Sequence, residues 1–461
     1  MKAKKKRNTF LNGLIWSSKG IATSVPNTLI VTYLAFYATN VLGIKATIVA
    51  SMLLFTKLID GVTDVISGVV IDNTHTRFGK GRPYDWCILL MGIFTILLFS
   101  APQSGLTVQI IYLAIMYVMV QAVFSTLLET GDAVYLLRAF PVEKERNTVF
   151  SIGVIVSQLF SITIGVILPI LIASAGTDHA AWTKMVAMVM VPAAAIGMLR
   201  FFLVKEVVVD DAQKEVSEDK KVEKKEEKIS FKEAAKSIFE NPYILVFAAA
   251  IFVVVIASGL MNASMAYFFT YVIGDQSKMA VISIATYISL IMIIIFVPLA
   301  NKFGKSRVMK FSLIIASAGA LIRILGGVNI PIIFVGNAMM LFGVMPVAVY
   351  VPLFLFDIMD YGEWKTGKRV EGMYSAFPNF ANKVATAIAS SLGLYILGWA
   401  GYDGKAEVQS ANTLRAINFI YNWIPFIMIV TMTVLIVVFY NIDKKLPAIR
   451  AELAERKAAE E

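Results

Sequence analysis

The chain has 461 residues, of which 58% are hydrophobic and only 16% charged. A soluble protein is about half apolar and about a quarter charged, so this composition excludes an ordinary soluble enzyme and points to a chain that crosses a membrane many times. One cysteine and two histidines leave no disulfide framework and almost no ligands for a metalloenzyme, and the net charge of +10 is explained by its placement along the chain rather than by nucleic acid.

A membrane helix needs about 20 mostly apolar residues. Twelve such stretches are predicted, near 13–39, 46–71, 84–101, 107–137, 149–173, 182–204, 242–272, 280–300, 307–326, 330–356, 372–400 and 416–440. The basic run Lys2 to Arg7 resembles a signal sequence, but the apolar stretch behind it is interrupted by Lys19 and continues past Asn40. It reads as a retained first helix. Lys19 lies one or two turns from the end of that span, within snorkelling reach of the surface.

A charged side chain at the bilayer centre costs at least about 2.5–3.5 kcal/mol, so each one needs a reason. The second span carries Lys57, Asp60 and Asp64, spaced by three and four residues and therefore on one helical face. Two carboxylates and one ammonium leave that face one negative charge in excess. A bound cation or a proton removes the conflict, and Thr56 and Thr63 add hydroxyl oxygens. The competing reading is a structural ion-pair cluster that fixes helix packing.

The fourth span carries Glu129 and Asp132 three residues apart, with Thr126 one turn before Glu129. Glu129 suits a substrate hydroxyl or a cation, because a carboxylate accepts two hydroxyl donors. Asp132, nearer the cytoplasmic end, suits a gate that pairs with loop arginines. Arg138 opens the next loop.

Residues 205–241 hold 9 basic and 11 acidic residues and read as a solvated linker. The linker ends in a short amphipathic surface helix from Ile229 to Glu240, and Asn241-Pro242 caps the seventh span. The domains are therefore 1–204, a six-helix half; 205–241, the linker; 242–440, a second six-helix half; and 441–461, a tail. An internal repeat supports the division. Arg77-Phe78-Gly79-Lys80-Gly81-Arg82 follows span two, and Lys302-Phe303-Gly304-Lys305-Ser306-Arg307 follows span eight, 225 residues later. The same offset relates Asp132 to Asp357 in span ten. Two parallel six-helix halves around a central pathway match an all-α membrane protein of the major facilitator fold, which implies alternating access.

Arg323 near the outer end of span nine reads as interfacial. Lys383 is the only charge of span eleven, flanked by Asn379 and Asn382, and needs an acidic partner such as Asp60, Asp64 or Glu129 unless it snorkels. With the N-terminus in the cytoplasm, 32 of the 42 Lys and Arg fall on the cytoplasmic side and 5 on the other. The remaining five are Lys19, Lys57, Arg200, Arg323 and Lys383. This asymmetry predicts a multi-pass plasma-membrane protein with both termini cytoplasmic.

The stretch Lys57 to Gly68, the loop Asp72 to Pro83, the run Asp357-Ile358-Met359-Asp360-Tyr361-Gly362-Glu363-Trp364-Lys365 and the run Arg369 to Ser375 resemble the glycoside–pentoside–hexuronide:cation symporters. The Tyr33 to Gly43 segment and the Glu143 to Arg146 loop resemble the same family. The resemblance implies coupled entry of a sugar and a cation through twelve helices. It assigns the coupling ion to Asp60 and Asp64, with oxygen ligands from Thr63 and Thr126. It assigns sugar binding to Glu129, with Lys383 in span eleven, twelve residues after Glu371. Coupling and gating roles fall on Lys57, Lys19, Asp132, Arg138, Asp357, Asp360, Arg77 and Lys80. The family's sugar-contacting acid of span one is replaced by Ser24, its span-four tryptophan by Ala133 and its span-five arginine by Val154. The cation half of the site is kept and much of the galactoside half is not. Aromatic side chains for stacking on a sugar are available, Tyr33 among them.

The expectation is a secondary symporter for a glycoside, oligosaccharide or hexuronide, driven by sodium or protons. No cofactor and no nucleic acid is expected, and the expected assembly is a monomer in the bilayer. The alternative is a carrier of a lysolipid or other amphiphile, and a receptor or sensor is a third reading. No catalytic triad, metal cluster or phosphate-binding loop suggests an enzyme.

Overall fold

The computed structural model describes residues 8–206, 231–367 and 371–460, and the predicted linker falls largely outside them. The described chain is helical, and its one β-type contact is an isolated bridge between Thr76 and Gly79.

Six helices come first: α1 (Thr9–Val41), α2 (Ala46–Asp72), α3 (Trp86–Leu98), α4 (Leu106–Ala139), α5 (Glu143–Ala175) and α6 (His179–Leu203). A short helix α7 (Phe231–Glu240) follows the linker. Then come α8 (Pro242–Val272), α9 (Met279–Phe303), α10 (Lys305–Leu325), α11 (Ile330–Thr366) and α12 (Glu371–Trp399). The twelfth long helix, α13, starts with Ala411–Asn418 and continues through Leu435–Phe439, and α14 (Leu446–Glu460) closes the chain. Among the described residues nine segments are long and apolar enough to cross a membrane alone. Lys57, Asp60 and Asp64 lower the hydropathy of α2, and α3 is only 13 residues long.

Sequence chemistry sets the helix ends. Asn8 caps α1 by accepting from the Leu11 N–H at 3.3 Å. Asn241 caps α8 by accepting from the Tyr243 N–H at 3.0 Å, with Pro242 in the first turn where its missing N–H costs nothing. Gly367 ends α11 in the left-handed conformation, φ 71°. Inside the spans, π-helical turns break the α register at Leu29–Tyr33 and Tyr37–Val41 in α1, downstream of Pro26, and at Val118–Ser125 in α4. Such turns are tolerated where a side chain must be re-aimed. The one in α4 ends where Thr126 and Glu129 begin.

The chain forms two compact units. The first comprises residues up to 223 with Phe269–Ala280 and Leu394–Thr413. Here α1 packs along α5 and α6, and α2 packs on the middle of α4. Trp16, Tyr135 and Phe140 form an edge-to-face aromatic cluster at one end, and Phe99 stacks on Trp182 at 6.0 Å near Tyr37. The Asn40 amide donates to the Tyr271 hydroxyl at 2.6 Å and accepts from Tyr402.

The second unit holds the rest. Its closest packing joins α10 to α11. A Cβ on Gly343 would lie 2.1 Å from the Ser312 carbonyl oxygen, and one on Gly336 would lie 2.6 Å from the Arg323 amide nitrogen. Only glycine lets the two backbones approach so closely, as is common between membrane helices. The helix α7 lays Ile238 into the core of this unit, while the Ser237 and Asn241 side chains meet the Tyr374 hydroxyl at 3.2 and 3.0 Å.

Arg323, expected at the interface, is instead fully buried between helices. It donates to the Tyr421 carbonyl oxygen at 2.5 Å and lies 4.7 Å from the Tyr421 ring. A carbonyl acceptor and a π face replace the water that snorkelling would have supplied. On the surfaces of the two units apolar side chains such as Phe55, Leu58, Val69 and Leu325 are exposed, as suits a chain that lies in a bilayer.

Candidate functional site

The first unit holds an open cavity of about 460 Å³ lined by α1, α4 and α5, with Met91 of α3. Each helix contributes polar side chains at helical spacing. From α1 come Lys19, Thr23, Ser24 and Asn27; from α4, Gln121, Ser125, Glu129 and Asp132; from α5, Ser157, Gln158 and Ser161. Trp16, Phe150 and Val154 supply the apolar surface.

A charge network forms the end of the cavity. Asp132 accepts from Lys19 at 3.1 Å and from the Arg200 guanidinium. Arg200, at the end of α6, also forks onto Asp85, with its Nε donating at 3.1 Å. Arg200 and Asp85 are both buried to 1% exposure or less. The Trp16 and Tyr135 rings, packed edge to face on each other at 5.1 Å, lie 4.4 and 4.9 Å from the guanidinium. A buried arginine needs such a combination of bidentate carboxylates and aromatic faces. The loop arginines expected to hold Asp132 are therefore replaced by a helix arginine, and Lys19 pairs instead of snorkelling. Glu129 stands apart from this network, facing the cavity and accepting from Ser125 Oγ at 3.3 Å.

Of the residues singled out in the sequence, Lys19, Ser24, Glu129 and Asp132 line one cavity. The Ser24 hydroxyl donates to its own helix, to the Ile21 carbonyl at 2.8 Å. Other candidates lie elsewhere. Lys57 pairs with Asp60 at 3.2 Å on α2 and sits 5.8 Å from the Tyr117 ring. Thr63 donates to the Asp60 carbonyl oxygen at 2.9 Å, and Thr126 donates to the Gln121 carbonyl at 3.4 Å. The Asp64 side chain lies outside the described residues. Among the described residues no three His, Cys, Asp or Glu side chains converge on one point. Tyr33 is buried and donates to the Met279 sulfur at 3.9 Å, away from the cavity lining.

The loop after α2 is built around a carboxylate. The backbone N–H groups of Lys80, Gly81 and Arg82 donate to Glu206 at 2.9 to 3.0 Å, and Arg138 approaches it at 3.7 Å. Gly79 has φ 115° there and its repeat partner Gly304 has φ 88°, so both copies of the repeat need glycine at this turn. The Arg77 guanidinium covers the Phe78 ring at 4.8 Å.

In the second unit Asp357 is buried and paired with Lys305 and, at 3.0 Å, with Arg450 of α14. Arg450 also donates to Asp360 at 2.9 Å. Beside it the Trp364 indole N–H donates to Glu452 at 2.6 Å. That bond, with Arg456, holds the Glu452 carboxyl below the usual carboxylate range. Lys383, Asn379 and Asn382 present exposed side chains on α12 of this unit.

Sequence reasoning missed Arg200, Asp85, Glu206 and the amides Asn27, Gln121 and Gln158. Arg200 left a trace as one of five basic residues within or at the ends of spans. The amides left one as polar residues inside apolar helices.

Residues 15–444 match the family described as MFS/sugar transport protein. The isoprimeverose transporter of Lactiplantibacillus pentosus is 29% identical over 96% of this chain and 91% of its own length. The putative glycoside/cation symporter YagG of Escherichia coli (strain K12) is 24% identical over 93% of this chain and 91% of its own length. Among solved structures, a bacterial homologue of the human lysosomal transporter Spinster superposes with a TM-score of 0.62 at 14% identity, covering 97% of both chains. The fold is that of a twelve-helix major facilitator transporter rather than an enzyme, and the chain belongs to the MFS/sugar transport protein family.

Proposed function

We propose that this chain carries a sugar across the plasma membrane in symport with a cation, sodium or a proton, by alternating access with both termini in the cytoplasm. The observation that carries this reading is the polar cavity. A volume of about 460 Å³ inside a membrane-embedded unit suits a mono- or disaccharide, within the ~300–1,000 Å³ usual for small-molecule sites. Amides and hydroxyls on three helices offer both donors and acceptors, as sugar hydroxyls require. Relatives named as an isoprimeverose transporter and a glycoside/cation symporter support the same substrate class.

In this reading Glu129 accepts sugar hydroxyls, with Ser24 beside it. The cation binds at Asp60 and Asp64 with oxygens from Thr63 and Thr126. Lys57 lies 3.2 Å from Asp60 and holds that carboxylate until the ion arrives. Lys383 completes the coupling, while Lys19 with Asp132, Arg138, Arg77, Lys80, Asp357 and Asp360 form cytoplasmic gates. The protein acts as a monomer without a cofactor.

The test is uptake of a radiolabelled sugar panel into proteoliposomes under a sodium gradient or a proton gradient. Sugar accumulation driven by one gradient, and lost in Asp60→Asn and Asp64→Asn, is the expected result. Full coupling in both variants defeats the cation site. Transport of lysolipid but of no sugar moves the function to the amphiphile carrier.

A further inference from the structure

We infer that the substrate is an uncharged, hydroxyl-rich glycoside, and that Glu129 is the group that turns away uronates and other anionic sugars. The inference rests on the sugar-transport reading and narrows it.

The balance of charges on the cavity wall and just behind it decides which ligand can enter. Four charged groups form the network at its end: Lys19, Asp132, Arg200 and Asp85. Two are cationic and two anionic, and every one is paired. Arg200 is held by both Asp85 and Asp132, packs against Trp16 and Tyr135 and is buried to 1% exposure, so it is not offered to a ligand. Among the described residues Lys19 is the only cation that lines the cavity. Were an anion to draw Lys19 away, Arg200 would be left between two carboxylates with one negative charge uncompensated. The network is therefore neutral as it stands and has no cation to spare.

Glu129 adds one further negative charge. Among the described residues its contact is a single hydrogen bond from Ser125, a neutral donor. The rest of the polar lining is neutral: the amides of Asn27, Gln121 and Gln158, and serine and threonine hydroxyls. A sugar carboxylate or sulfonate at this wall meets one like charge and, among the described residues that line it, no unpaired cation. Glu129 is exposed to the cavity, so the repulsion acts on an anion bound beside it, well within the screening length of about 8 Å. A neutral sugar meets an acceptor for two of its hydroxyls at Glu129 and amides able to donate or accept.

The experiment measures equilibrium binding by calorimetry to the full-length protein in detergent. The probes are matched pairs that differ only at one carbon: methyl glucosides against methyl glucuronides, methyl galactosides against methyl galacturonides, and methyl xylosides as a third neutral series. At least one neutral member should bind ten-fold or more tightly than its uronate. Glu129→Asp, which keeps the charge, should keep the ratio. Glu129→Gln should shrink it at least three-fold, whatever happens to absolute affinity. A uronate that binds as tightly as its neutral partner overturns the inference and leaves the sugar reading intact. An unchanged ratio in Glu129→Gln overturns the role of Glu129. No binding by any sugar overturns the sugar reading and this inference together.

Discussion

Arg200 has two carboxylates and two aromatic rings around it and is buried to 1% exposure. Removing one member of such a buried set leaves uncompensated charge, at a cost of about 3–5 kcal/mol. Arg200→Ala should therefore lower the melting temperature of the detergent-solubilised protein sharply or prevent folding. Arg200→Lys should recover little, because an ammonium cannot fork onto Asp85 and Asp132 together or stack on the aromatic rings as a planar guanidinium does. A fully stable Arg200→Lys protein would mean that charge alone matters there. The residues of this network separate what the sequence discloses from what it does not. Glu129 and Asp132 were legible because three-residue spacing in an apolar helix is a local signal. The pairing of Arg200 with Asp85, 115 residues away, and with Asp132, 68 residues away, is set by tertiary packing and leaves no local pattern. Lys383 belongs to the same scale. Lys383→Ala should weaken gradient-driven uptake in proteoliposomes, and an unaffected rate would remove it from the coupling machinery.

Pairs of helices depend on how closely backbones approach. The contact of α10 with α11 places the Ser312 carbonyl where a Gly343 side chain would begin, 2.1 Å from its Cβ. Overpacking at such a point typically costs about 1–3 kcal/mol, and a backbone neighbour cannot swing aside as a flexible side chain can. Gly343→Val should thus reduce thermal stability or the yield of monodisperse protein on gel filtration, and Gly343→Ala should do so less. A neutral Gly343→Val would mean the two helices have room to separate. At this scale the sequence was a good guide to where helices lie, because runs of about 20 apolar residues have few alternatives. It was a poor guide to their internal form. The π-helical turn Val118–Ser125 follows no composition rule, and the burial of Arg323 depends on the Tyr421 carbonyl from another helix.

Across the whole molecule the repeat is a statement about equivalence, and the structure reveals where equivalence ends. Gly79 and Gly304 keep the same left-handed turn. Asp132 and Asp357 occupy matching positions yet are neutralised differently, the first by Lys19 and Arg200, the second by Lys305 and by Arg450 of α14. Deleting α14, or Arg450→Ala alone, should therefore release the C-terminal end of α11, read as faster labelling of a cysteine placed near Asp360. Acidification should act in the same direction. The Glu452 carboxyl is held below its ordinary range when Trp364 and Arg456 bind it. Its contribution to docking is complete above the ordinary glutamate value and is lost as pH falls through the lowered one. Labelling that stays constant as pH falls through that range would remove Glu452 from the docking of α14.

The position of Arg450 also bears on how the protein should be handled in the laboratory. A truncation chosen to trim a charged, soluble-looking end for crystallisation or display would cut away the cation on which two acids of α11 depend. Fluorescent or affinity fusions are safer joined beyond α14, with that helix kept whole, and a shortened variant that loses transport would be reporting a missing ion pair rather than a missing substrate site.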